Sequence, residues 1–342
     1  MPLPHLAVEI DGHGSHPAAG HRRDPAVVFD PEALTRTARL AEDAGFAFVT
    51  LADSAQPAGG ALDAGVRAGF LALRTHRIGL VPTLHVTTAE PFHLATQLAS
   101  LDYASSGRAG WLVGAQNSAA ALATIGRQPL DATALDHEVR DVVQVGRQLW
   151  DSWEDDAIIK DVATGRFLDP DRVHHVNFVG DTFSVVGPLI TPRPPQGQVV
   201  ILGADTLGVT AQLDVALLDT TDLATRAAAA RRVGAPQVFA ELDVLLDADE
   251  PARARLSALD ATTPWEPSAR LRHIGSVDSL TELLGHLATV VDGVRLHPAV
   301  LDVDLPILAE RLAGAGPAPG ATLRATLGLP RPANQFAAKA VS

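Results

Sequence analysis

The stretch "RIGLVPTLHVTTAEPFHLATQLASLDYASSGRAGWLVG" (77–114) decides the fold. Its first ten residues, 77–86, form an apolar run of strand length. "EPFHLATQLASLDYAS" (90–105) then has helical length and composition, with Pro91 placed near its start, where a missing N–H costs nothing. The polar turn Ser105-Ser106-Gly107-Arg108 leads into a second short apolar segment, "AGWLVG" (109–114). Strand, helix and strand follow one another with short connections, and this rhythm extends in both directions.

Upstream, "HLAVEI" (5–10) and "FAFVTL" (46–51) read as strands. Between them "DPEALTRTARLAEDAG" (30–45) reads as a helix, with Asp30 as N-cap, Pro31 at the first position and Gly45 closing it. "GALDAGVRAGFLALRT" (60–75) is the second helix. Downstream, "LDHEVRDVVQVGRQLWDSW" (135–153) is the fourth helix, and the rhythm then breaks over 154–197. In that segment Gly180-Asp181 marks a turn between two β-rich runs, which predicts an inserted β-hairpin, and "TPRPPQG" (191–197) is a stiff extended connector. The alternation resumes with the strand "VVILGA" (199–204), the helix-like "DTLGVTAQL" (205–213) and the strand "DVALLD" (214–219). A helix "DLATRAAAARRVG" (222–234), the strand "QVFAELDVLLD" (237–247), a helix from about 277 to 291, the strand "DGVRLHP" (292–298) and a last helix near 303–314 complete it. Nearly continuous apolar strands are those of a parallel sheet covered on both faces. Eight strands, each followed by a helix or helix-like run, predict an α/β fold, a (β/α)8 TIM barrel with one inserted segment after the fourth helix; a doubly wound open sheet is the alternative. The 342 residues are expected to form a single domain, with a C-terminal tail from about 318.

Hydrophobic residues make up 46% of the chain and charged residues 20%, enough for a large core. The formal charge of −13 argues against nucleic acid or an anionic membrane as partner, which leaves a small molecule. There is no cysteine, hence no disulfide framework, thiolate nucleophile or Cys-ligated metal. No signal-peptide pattern is visible, and no stretch approaches the roughly 18 apolar residues of a membrane span, so a cytoplasmic protein is expected.

A barrel carries its chemistry at the C-terminal ends of its strands. Those ends hold Asp11, Gly12 and His13; Asp53 and Ser54; Thr83, His85 and Thr87; Leu112, Gly114 and Gln116; Gly203, Ala204, Asp205 and Thr206; and Arg295 with His297. "DGHGSH" (11–16) raises the question of a metal, but no second tightly spaced ligand cluster accompanies it, so it reads as a solvated glycine-rich loop and no metal is expected. Asp53 and His85 are polar groups at apolar strand ends, suited to function, capping or a satisfied buried position alike. "GADT" (203–206) opens the helix-like run, where backbone N–H groups would suit a phosphate, although Asp205 would repel an anion unless it caps the helix or points away. The dinucleotide, P-loop and serine-hydrolase signatures are all missing. Trp111, Trp150 and Trp153 read as packing residues.

Three segments, "VPTLHVTTAEPFHLATQLASLDYASSGRAGW", "LWDSWEDDA…HHVNFVGDTFSVVGPLITPRPPQG" and "TLRATLGLPRPANQFA", together resemble the bacterial luciferase-like monooxygenases, in the branch of the nitrilotriacetate and dibenzothiophene-sulfone enzymes. The resemblance implies a barrel that uses reduced FMN, supplied by a separate flavin reductase, to activate O2 and oxidise a small organic substrate; a homodimer is the implied assembly. It places Asp53, Thr83, His85 and Thr87 along the flavin ring and Gly203, Ala204, Asp205 and Thr206 at its phosphate. The chain departs from the family where strand four reads Gly110-Trp111-Leu112 rather than Gly-Trp-Asn, so Leu112 stands where a flavin-facing amide is usual. The tyrosine expected at the start of the fourth helix is missing, which leaves His137 and Arg140 as substitutes. "ILGAD" replaces the family's hydroxyl-rich phosphate turn. These departures keep two alternatives open: a non-catalytic partner or flavin-binding protein, and a deazaflavin-dependent oxidoreductase in which His85 or His13 acts as acid or base.

Overall fold

The computed structural model describes residues 3–21, 24–57, 60–312, 314 and 316–337. Eight parallel strands close on themselves: β1 (His5–Glu9), β2 (Phe48–Leu51), β3 (Gly79–His85), β4 (Gly110–Gly114), β5 (Val200–Ala204), β6 (Val215–Leu218), β7 (Gln237–Leu246) and β8 (Gly293–Pro298). The ring is completed where Leu6 pairs with Val294 and Ala216 with Val238. This is the expected (β/α)8 barrel, and all eight strands lie where the apolar runs placed them.

The helices of the outer layer are α1 (Pro31–Asp43), α2 (Ala64–Ala72), α3 (Pro91–Ala104), α4 (Ala132–Asp151), α5 (Leu223–Arg232), α6 (Ala252–Asp260), α7 (Val277–Leu287) and α8 (Leu301–Arg311). Most start with side-chain caps: Asp30, Asp63, Glu90, Asp131 and Asp222 each accept a first-turn N–H. Strand residues alternate. Val8, Val49, Leu80, Trp111, Ile201 and Val244 pack outward under the helices, whereas Phe48, Val81, Leu202, Leu217 and Phe239 pack inside the barrel. Gly293 is required there, because a Cβ at this position would meet the Phe239 ring at 2.2 Å.

Two local expectations are corrected. Residues 205–213 form no α-helix; the chain turns through Gly208 (φ +71°) into a single 3-10 turn at Thr210–Gln212. Asp205 donates its N–H to Leu217 O, and Thr210 Oγ1 donates to Asp205 O, which ties this short connection to the strand ends. A further strand, Leu271–Gly275, pairs in parallel with Leu242–Leu246, where β7 rises above the barrel. Helix α6 fills the stretch between β7 and that strand. The inserted hairpin is present, Phe178–Val179 against Ser184–Val185 around Gly180-Asp181, with a second antiparallel pair at Ile158–Asp161 and Arg166–Leu168.

The opposite end of the barrel is plugged. Leu323, Leu327 and Leu329 join the interior cluster, and Arg324 clamps Asp214 through both Nη atoms at 3.0 and 3.1 Å. Arg108, from the turn before β4, is buried and spends all five N–H donors on Ser105 O, Thr75 Oγ1, Ile78 O, Ala72 O and Thr75 O. It thereby pins the end of α2 to the start of β3. Among the described residues no helix is long and apolar enough to cross a membrane.

Candidate active site at the barrel mouth

The inward-facing residues of the upper barrel divide the mouth into two halves. On the side of β1, β7 and β8 the alternation brings Glu9, Glu241, Asp243, Arg295 and His297 to the interior, with Thr50 from β2 beside them. Arg295 donates from Nε to both Glu241 oxygens (3.0 and 3.2 Å) and from Nη2 to Oε2 (2.9 Å), while its Nη1 donates to Thr50 Oγ1 (3.1 Å). His297 lies between two carboxylates, with Nε2 on Glu241 Oε2 and Nδ1 3.1 Å from Glu9 Oε1. Arg270 pairs with Asp243 at 2.9 Å. Burial opposes the imidazolium of His297, but Glu9 and Glu241 outweigh it and hold its pKa above the ordinary value. Burial likewise opposes ionisation of Glu241, and Arg295 and His297 overcome it, so this carboxylate stays charged far into acid. The network is a buried, mutually neutralised charge cluster. Arg295 and His297 were visible as strand-end candidates, whereas Glu9, Glu241 and Asp243 were not. Their signal is polar residues two apart within an apolar strand, as in "FAELDVLLD".

The other half of the mouth is neutral. Thr83 pairs in register with Leu112, and Leu112 with Leu202; Ala204 follows on β5. Leu112 packs against the interior apolar cluster, so strand four does present this side chain inward. His85 flanks the wall and has both ring nitrogens engaged. Nδ1 accepts the Gln116 N–H (3.2 Å), which leaves Nε2 to donate to Asp53 O (3.0 Å). A Cβ on Gly114 would lie 2.3 Å from His85 Nδ1, so the glycine makes the space that the imidazole fills. His85 is a fixed cross-link between the ends of β2, β3 and β4. Asp53 accepts from Ser54 N and Ala64 N, and Thr87 donates to Gln116 O (2.7 Å), so both shape the same rim.

His13 stands apart from that wall. It lines a cavity of about 880 Å³ between the ends of β1 and β2 and helices α1 and α8, together with Asp11, Asp53 and Arg67. Arg67 is buried and donates to Asp11 Oδ1 at 2.5 Å and to Ala52 O. This cavity therefore lies beside the barrel axis, and of the strand-end candidates Asp11, Gly12, His13, Asp53 and Ser54 border it. His16 does not join His13 in a ligand set; it is buried, takes the Ala18 N–H on Nδ1 and meets Asp260 at 3.2 Å through Nε2. Among the described residues no group of three or more potential ligands is placed to hold a metal.

The residues assigned to a phosphate are dispersed. His137, on α4, pairs with Asp181 of the inserted hairpin, and Arg140 is exposed one turn further along. At the end of β5, Asp205 is bound by Arg226 through Nε (2.8 Å) and Nη2 (2.5 Å). The space beside Gly203 is taken by Leu207 and Leu213, and no helix N-terminus follows Thr206.

The profile of the family described as luciferase-like monooxygenase matches residues 8–235. Over 139 residues the chain is 44% identical to the N-acetyl-S-(2-succino)cysteine monooxygenase of Bacillus subtilis (strain 168), which is 40% of this chain and 32% of that protein. It is 40% identical over 139 residues to nitrilotriacetate monooxygenase component A of Aminobacter aminovorans, 39% of this chain and 30% of that protein. The matched segment thus spans about a third of these relatives. In fold, the chain is similar to a long-chain alkane monooxygenase, with a TM-score of 0.81 at 19% identity over 99% of both chains. An EDTA monooxygenase from Chelativorans sp. BNC1 gives 0.77 at 22%, over 96% of this chain and 99% of that one. With a family match running from the first strand to the end of α5, on a barrel of the same shape, this chain belongs to the luciferase-like monooxygenase family.

Proposed function

We propose that this protein is the oxygenating component of a flavin-dependent monooxygenase, which receives reduced flavin from a separate reductase and uses O2 to oxidise a small organic substrate. The family match carries the reading, and the neutral half of the mouth supports it. Thr83, Leu112 and Ala204 offer an aromatic ring a neutral wall, and His85, held by two hydrogen bonds, cannot drift from its edge. The ring end of a flavin fits these residues. The phosphate end of FMN does not fit the residues expected to hold it, since Asp205 is itself a carboxylate paired with Arg226 and His137 is paired with Asp181. A cytoplasmic homodimer is part of the same proposal.

The relatives named above act on a thioether-bearing amino acid and an aminocarboxylate, so small molecules of those two kinds are the first substrates to try. The test is an anaerobic fluorescence titration of the purified protein with reduced flavin and with reduced deazaflavin, followed by O2 uptake with such a panel. Saturable binding of reduced flavin with substrate-dependent O2 uptake is expected. Binding of deazaflavin alone would move the chain to hydride transfer. If nothing binds at high micromolar concentration, the enzyme reading fails and a non-catalytic partner remains.

A further inference from the structure

We propose that the mouth of this barrel selects its flavin by the ring and discriminates against the phosphate, so that riboflavin binds at least as tightly as FMN. This rests on the proposed function and narrows it. A phosphate monoester brings close to two negative charges at neutral pH, and proteins hold such a group with helix N-termini, backbone amide nests or arginine forks. In this protein most of these devices among the described residues are already taken, chiefly by the chain's own carboxylates.

The helix N-termini all face the mouth, as they must in a barrel whose helices follow its strands. Five are capped by Asp30, Asp63, Glu90, Asp131 and Asp222. In α6 the Ala252 N–H donates to Asp247 (2.7 Å), and at the start of α8 the Val300 N–H donates to Asp304 (2.8 Å). Uncharged caps remain on α7, Ser276, and on the one-turn helix Ala119–Ala123 after β4, Ser118. The positive ends of most of the helix dipoles are therefore neutralised from within.

The arginines are spent in the same way. Arg67 is on Asp11, Arg226 on Asp205, Arg255 on Asp304, Arg270 on Asp243 and Arg295 on Glu241. Of the glycine spaces at the strand ends, that of Gly114 holds His85 and that of Gly203 holds Leu207 and Leu213, which leaves the open space beside Gly12. Some cations among the described residues remain less committed, and Arg36 on the cavity lies 3.7 Å from Asp30. Arg127 donates to Thr87 O and lies 3.9 Å from the buried Glu138, and Arg140 is exposed on α4. They stand against a net charge of −13. A dianion approaching this face meets fixed negative charge, whereas an uncharged ribityl chain meets none.

The experiment is a side-by-side anaerobic titration of the full chain with reduced riboflavin and reduced FMN, at about 50 and about 500 mM salt. The expected result is a riboflavin Kd equal to or below that of FMN, with added salt tightening FMN and leaving riboflavin unchanged, because screening relieves repulsion. In Asp205→Asn, FMN binding should tighten roughly tenfold and riboflavin binding stay within twofold. FMN binding threefold or more tighter than riboflavin, and weakened by salt, would overturn the inference while leaving the monooxygenase reading intact. Failure of both flavins to bind would overturn the two together.

Discussion

His297 and Glu241 face each other from neighbouring strands inside the barrel, and Glu9 closes on the imidazole from the other side at 3.1 Å. Removing one member of such a buried set leaves the others uncompensated, a loss of about 3–5 kcal/mol. Glu241→Gln should therefore lower the unfolding free energy by that amount in urea at pH 7.

The same contact fixes the pH profile of stability. Burial opposes charge on His297, but the two carboxylates raise its folded pKa above the ordinary 6.5. Its contribution is complete below 6.5 and is lost as pH rises through the higher folded value. Burial opposes charge on Glu9 and Glu241 as well, yet their folded pKa values lie below the ordinary 4.5, so their contribution is complete above 4.5 and is lost as pH falls through those lowered values. A stability plateau between about pH 4.5 and 6.5, eroding on both sides, is expected from thermal melts. A Glu241→Gln variant should lose much of the acid-side slope.

Arg108→Lys keeps the charge and discards the fork. Lysine has three donors on one nitrogen and cannot reach the five acceptors that Arg108 binds. Several buried carbonyls are left unpaired at about 1–3 kcal/mol each, so a loss of at least about 3 kcal/mol is expected in denaturant titration.

Gly114→Ala tests the placement of His85. The added Cβ, 2.3 Å from Nδ1, forces the imidazole away from Gln116 N. A destabilisation of about 1–3 kcal/mol is expected, accompanied by weaker binding of reduced flavin. Weaker stability with unchanged flavin affinity would remove His85 from the ring site.

Leu112→Asn restores an amide on the neutral wall. One new hydrogen bond is worth about 0.5–1.5 kcal/mol, which tightens reduced-flavin binding by roughly two- to tenfold. An unchanged affinity would show that a flavin ring does not lie against this wall.

The barrel was legible because each of its eight strands is a short, dense apolar run, a pattern that needs no knowledge of partners. What escaped depends on tertiary context. The strand Leu271–Gly275 carries Arg272 and His273 and becomes a strand only because β7 outgrows the barrel and offers it an edge. Residues 205–213 look helical in composition, yet Asp205 and Thr210 bind them to the strand ends. At the site, Leu112, Thr83 and His85 were picked out by their strand-end positions and by the family resemblance. The pairing of Glu9 with His297 joins residues 288 apart in sequence, and no local pattern announces it.

The tail that seals the far end of the barrel ties the fold to the order of synthesis. Leu323, Leu327 and Leu329 belong to the same apolar cluster as Phe48 and Val81, and Asp214 receives its clamp from Arg324. A ribosome that has finished the eighth strand has still not made the residues that close the interior. The nascent barrel therefore keeps an open base until Leu323, Leu327 and Leu329 have left the exit tunnel.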